Sequence, residues 1–159
     1  MEDKKLYDLI LGSAIAYLSY KLRTKKEMTD YVKKKTAESD LIEAVISRIE
    51  ELGYIDDMAY AKAFIESRNK NKPKGKQFLC IELQRKGIER TVAREMVELY
   101  GGSKEMETEV VEALADKKLR ALTKYSEKDQ QTKLFSFLMR RGFRMDMIKH
   151  VIDARFKRK

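Results

Sequence analysis

The chain has one proline, Pro73, one cysteine, Cys80, one histidine, His150, and no tryptophan. A lone cysteine cannot close an internal disulfide, and no CxxC pair or Cys and His cluster offers a zinc site. Cysteine usage of this kind points to the cytoplasm. Long apolar runs are also missing. The longest, LILGSAIAYL from Leu9 to Leu18, is about half the ~20 residues a bilayer span needs. It also lacks the basic flank and cleavage signature of a signal peptide. A buried helix is expected there and no membrane partner. No stretch alternates polar and apolar residues with β-branched enrichment, so strands are not expected. With one proline and seven glycines, helices can run long and the glycines act as punctuation.

What the chain does have is charge. Lys and Arg total 35 against 26 Asp and Glu, giving a formal net charge of +9, and 43% of the residues are hydrophobic. There is enough apolar material for a core. The surplus of cations suits a polyanionic partner: nucleic acid, an anionic membrane surface or an acidic protein groove.

A repeat organises both features. VKKKTAESDLIEAVI from Val32, LQRKGIERTVAREMV from Leu83 and LMRRGFRMDMIKHVI from Leu138 align without gaps, at spacings of roughly 50 residues. Each has an aliphatic residue, a basic pair, Gly or Thr, and then apolar pairs at helical spacing. Val32, Leu83 and Leu138, with Met28, Leu79 and Leu134 a turn earlier, form the buried stripe of one helix. Gly87 and Gly142 stand where a helix stops in the left-handed conformation, which costs a residue with a Cβ about 1 to 2 kcal/mol. Thr36 occupies that place in the first copy, so the first corner is expected to turn differently. Leu41 and Ile42, Val92 and Ala93, and Met147 and Ile148 each lie one turn before a second apolar pair, predicting a second buried stripe.

A third helix precedes each pair, over 5–22, 56–70 and 104–124. Asp56 and Ser103 stand at helix starts, and Thr24 with Glu27 and Ser126 with Asp129 have capping-box spacing. The expected architecture is all-α: three tandem three-helix repeats over 1–53, 54–101 and 102–159, stacked into an elongated, curved rod. A compact globule of this length would have a radius of gyration of about 15 Å. Small-angle scattering should give a clearly larger value; one near 15 Å would exclude the rod.

At this level of detail the chain resembles a known family. GYIDDMAYAKAFIESR from Gly53, the basic loop NKPKGK from Asn71 and IELQRKGI from Ile81 are similar to the middle repeat of RecX proteins, bacterial regulators of the recombinase RecA. YLSYKLRTKKEMTDYVKKK from Tyr17 and LFSFLMRRGFRMDMIKHVI from Leu134 resemble the first and third repeats in order and spacing. The likeness covers residues 14 to 155. It implies an all-helical, non-enzymatic monomer that docks along the groove of the RecA filament on DNA and dampens its activity, with no cofactor. Thr36, where glycine is common, departs from the pattern. The chain begins close to its first repeat, so the extra segment of longer relatives is expected to be absent.

The basic pairs Lys34 and Lys35, Arg85 and Lys86, and Arg140 and Arg141 fill all the equivalent positions. At the chain's overall basic fraction, chance would do that about once in ten thousand. Cations in the last turn of a helix gain about 0.3 to 1 kcal/mol from its dipole, which is one sufficient reason for them. The other is a basic track along one edge, completed by Arg23, Lys25, Lys26, Lys72, Lys74, Lys76 and Arg144, that faces RecA filaments or binds DNA directly. A scaffold for another acidic protein fits the same edge. Tyr17 and Tyr20 could stack on bases, although aromatics at helical spacing are more often core. Cys80 is expected to be a packing residue and His150 an exposed helix position. KPKGKQ from Lys72 lacks the spacing of a phosphate loop, so ATP binding is not expected.

Overall fold

Helix starts are written into the residues that precede them. Thr24 Oγ1 accepts from the Glu27 N–H at 3.1 Å while Glu27 Oε2 accepts from the Thr24 N–H at 3.2 Å, completing the expected capping box. Asp56 Oδ1 takes the N–H groups of Met58 and Ala59, both at 2.9 Å. Ser103 accepts from Met106 at 3.2 Å. Ser126 accepts from the Asp129 N–H and donates its hydroxyl to the Asp129 carboxylate. Each such cap is worth roughly 0.5 to 2 kcal/mol.

A computed structural model of the chain describes residues 2–157, and among them every regular element is an α-helix. They come in three sets of three: α1 (Glu2–Leu18), α2 (Lys25–Lys33) and α3 (Ser39–Glu51); α4 (Asp57–Asn71), α5 (Lys76–Arg85) and α6 (Arg90–Tyr100); α7 (Lys104–Arg120), α8 (Glu127–Arg140) and α9 (Met145–Phe156). Two leading helices end earlier than their periodicity suggests, and α1 also begins earlier, at Glu2. α1 stops at Leu18 because Ser19 turns its hydroxyl back to the Ala16 carbonyl at 2.7 Å. The chain then folds so that the Arg23 guanidinium lies 3.5 Å over the Tyr17 ring. α7 ends at Arg120, where Ala121 and Leu122 tighten into turns and bury the Leu122 side chain.

The corners explain the glycines. The N–H of Ile88 reaches the Leu83 carbonyl and that of Gly87 the Gln84 carbonyl; Phe143 and Gly142 bond Leu138 and Met139 in the same way. This pairing closes a helix only if its last residue is left-handed, and Gly87 and Gly142 have φ of +90° and +78°. At the first corner no left-handed residue is used. Thr36 bonds back to the Val32 carbonyl, and its hydroxyl accepts from the Glu38 N–H at 3.2 Å, turning the chain into α3.

The chain divides into two compact units. One contains residues up to Phe64 together with Leu83–Ala93, the other Ile65–Glu82 with the chain from Arg94 onward. In the first unit α1, α2 and α3 each pack on the other two around Ile10, Ala14, Met28, Val32, Val45 and Ile49. In the second, α7, α8 and α9 do the same around Val111, Ala115, Leu134, Leu138, Ile148 and Val151. The first stripe read from the sequence is buried throughout, whereas the second is buried except at Leu41, Ile42, Val92 and Ile152, which are half-buried. The middle helices contribute buried residues to each unit: Ala61, Leu83, Ile88 and Ala93 to the first, Ile65, Leu79, Met96 and Val97 to the second.

Candidate functional site

Each unit contains one copy of the same junction between successive sets of helices. In the first unit, the hydroxyl of buried Thr24, just ahead of α2, donates to the Lys86 carbonyl at the end of α5, 2.7 Å away. In the second unit, Gly75, just ahead of α5, donates its N–H to the Arg141 carbonyl at the end of α8, 2.9 Å away. Thr24 and Gly75 hold equivalent places in their repeats, as do Lys86 and Arg141. The approach is close in both. A Cβ on Gly75 would overlap the Gly142 carbonyl, and one on Gly142 would stand 2.5 Å from Phe78 Cβ. Thr24→Val keeps the shape and removes both the cap and the junction donor, so it should cost about 2 kcal/mol. Chemical denaturation reads this directly, and an unchanged midpoint would mean the junction contributes nothing.

The junctions split the basic pairs into members with different surroundings. Lys86, the inner member of its pair, reaches Glu27 at 3.1 Å. Arg141 donates to the Pro73 carbonyl at 3.2 Å and lies 5.0 Å from the Phe137 ring centroid. The outer members Arg85 and Arg140, and Lys34 of the first pair, are exposed, with no ion pair among the described residues. Lys35 is exposed as well, 5.3 Å over the Tyr31 ring.

The remaining basic candidates divide the same way. Lys25 pairs with Glu50 at 2.8 Å while its N–H bonds Asp57. Lys26 is exposed and lays its alkyl chain against Gly87. Arg23 stacks on Tyr17, and its Nε is buried without a hydrogen-bond partner among the described residues. Of the loop lysines, Lys74 meets Glu82 at 2.6 Å, a carboxylate also held by Arg68, and Lys76 meets Glu98 at 3.1 Å. Only Lys72 in that loop is exposed and without an ion pair among the described residues. Arg144 grips Asp146 with both arms, at 3.1 and 2.7 Å.

The other candidates have structural settings. Tyr17 stacks on Tyr31 with centroids 4.1 Å apart, whereas Tyr20 is 84% exposed. Burial pushes the Cys80 thiol above its ordinary pKa, partly opposed by nearby Arg94. His150 lies exposed on α9. Among the described residues no His, Cys, Asp and Glu group could hold a metal ion, and no helix is long and apolar enough to cross a membrane. Sequence reasoning missed the junction partners Glu27, Phe78 and Glu82. The accessible signal was the matching place of Thr24 and Gly75, each ten residues ahead of the basic pair of its own repeat.

Successive three-helix sets, each hooked to the next by the loop ahead of its second helix, define a tandem helical-repeat protein. Family models described as the first, second and third three-helix domains of RecX match residues 11–48, 56–97 and 105–152. The chain belongs to the RecX family. It is 33% identical over 156 residues to the regulatory protein RecX of Chlorobium phaeobacteroides, covering 98% of this chain and 97% of that protein. The likeness to the regulatory protein RecX of Bacillus cytotoxicus is 33% over 140 residues, covering 88% of this chain and 51% of the relative. The chain therefore spans about half the length of such longer relatives, and nearly all of the Chlorobium protein. The crystal structure of RecX from Lactobacillus salivarius superposes with a TM-score of 0.84 at 27% identity, covering 95% of this chain and 97% of that one.

Proposed function

We propose that this chain binds RecA nucleoprotein filaments in their groove as a monomer and restrains the recombinase, limiting filament assembly, ATP hydrolysis and strand exchange. Membership of a family whose relatives are named regulatory proteins supports a regulatory role. The observation that carries the contact is the division within the basic pairs. Lys86 and Arg141 are engaged in the junctions, while Arg85 and Arg140 at the same helix ends are exposed. Dipole stabilisation of the helix ends needs no such pair in every repeat, whereas a filament of nucleic acid and acidic protein surface offers each exposed cation a partner. The chain acts by occupying surface, without catalysis of its own.

The decisive comparison is inhibition of ATP hydrolysis by preformed filaments in the presence of excess competitor DNA. Inhibition should begin at concentrations too low to occupy bare DNA and persist when competitor is added. Loss of inhibition with competitor would favour direct DNA binding through the same cations. Raising salt from low to physiological concentration should weaken inhibition, because exposed charges are screened over about 8 Å at 0.15 M. Salt-independent inhibition would exclude charge as the main contact.

A further inference from the structure

The end of α7, the connector after it and one face of α8 enclose an open cleft of about 460 Å³, toward the small end of the ligand-pocket range. Lys118, Lys133 and Arg140 line it. No carboxylate does, and none of the three cations forms an ion pair among the described residues. Like charges gathered on one recess repel one another and raise its potential for an anion. The two lysines are braced on aromatic rings: Lys133 Nζ lies 4.6 Å from the Tyr125 centroid and Lys118 Nζ 5.2 Å from that of Phe137.

The hydroxyls in the cleft differ. Thr132 donates to the Lys128 carbonyl a turn back, at 3.0 Å, as helical Ser and Thr commonly do. Ser136, half-buried and one turn further along the same face, makes no side-chain hydrogen bond among the described residues. Its O–H is therefore free to donate into the cleft. Arg140 lies one more turn along and brings a planar fork of N–H donors suited to phosphate oxygens. Tyr125, 39% exposed, stands beside these groups as a surface on which a base can stack.

We propose that this cleft binds the phosphate of a nucleotide, with Lys118, Lys133 and Arg140 neutralising the charge, Ser136 donating to a phosphate oxygen and Tyr125 taking the base. A free nucleotide and a residue of a single strand present the same chemistry. Arg140 is shared with the filament contact, but Lys118, Lys133 and Ser136 are not, and the test varies only those three and uses no recombinase, so its outcome is distinct from that of the filament reading.

The full-length chain is titrated with ATP, with a short oligothymidylate and with a glutamate peptide of matching charge, and amide shifts over 118–140 are followed by NMR. ATP, the oligothymidylate or both should shift these amides saturably, and the glutamate peptide should bind far more weakly. Lys118→Gln with Lys133→Gln should weaken nucleotide binding about tenfold or more, and Ser136→Ala severalfold, at unchanged helicity. Tighter binding of the oligothymidylate identifies a strand as the source; equal or tighter binding of ATP identifies a free nucleotide. The site is excluded if neither ligand moves these amides, if the glutamate peptide binds as well, or if the double variant binds like the parent. Should the double variant lose helicity, Ser136→Ala decides alone: parent-like affinity excludes the site.

Discussion

Gly142→Ala should destabilise the protein by about 2 to 4 kcal/mol. Two costs combine there. Gly142 has φ +78°, a conformation that costs a residue with a Cβ about 1 to 2 kcal/mol. The added carbon would also stand 2.5 to 2.9 Å from the Cβ, Cδ2 and Cγ of Phe78, and overpacking of that kind costs about 1 to 3 kcal/mol. The remaining corner glycines separate the two terms. Gly53 shares the left-handed backbone at φ +73° but has nothing within 4 Å, so Gly53→Ala should cost only the first. Gly87→Ala should carry both costs as well, because the added carbon would overlap the Cβ of Lys26, which is fixed to its own backbone. At this chain length each kcal/mol lowers Tm by roughly 2 to 4 °C. Gly53→Ala should therefore melt highest, with Gly87→Ala and Gly142→Ala both below it. Equal losses at all three would mean that the close approach at the junction carries no energy.

Arg85→Glu together with Arg140→Glu should nearly abolish filament binding while leaving stability close to the parent. Both arginines are exposed at helix ends, which tolerate such changes within about a kcal/mol each. Against an acidic surface a reversed charge is repelled as well as lost. Each single reversal should weaken binding on the order of tenfold, and the two together a hundredfold or more, since attachments on one chain reinforce each other. The inner members should behave oppositely. Lys86→Glu sets a carboxylate against Glu27, and Arg141→Glu removes the donor to the Pro73 carbonyl. These variants should lower Tm measurably, and their binding loss should follow the stability loss. If outer and inner variants are equally stable and equally defective, the division of roles within the pairs is wrong.

Much of this fold was legible in the sequence because its determinants are local. Apolar pairs at helical spacing, a glycine after each of two basic pairs and a capping residue ahead of α2, α4, α7 and α8 act over a few residues. The stops of α1 and α7 were less legible because they depend on side chains folding back, Arg23 onto Tyr17 and Leu122 into the core. The candidate site was legible only as a set of residue types. Nothing within the pair Arg85 and Lys86 distinguishes its members; the difference arises from Glu27, far away in the chain. Lys74 likewise reads as a loop cation until its path brings it to Glu82. The cleft beside Ser136 was invisible for a related reason. Lys118 and Lys133 belong to different helices, and only the packing of α7 on α8 makes them neighbours of one recess.

The most direct test is a side-by-side titration of ATP hydrolysis by preformed RecA filaments, with the parent chain and with the Arg85→Glu and Arg140→Glu double variant, after both are shown to melt alike. The parent should inhibit at concentrations that leave bare DNA unoccupied, and the variant should require on the order of a hundredfold more. Equal inhibition by the two proteins would contradict the account and return the exposed arginines to the role of helix-end charges.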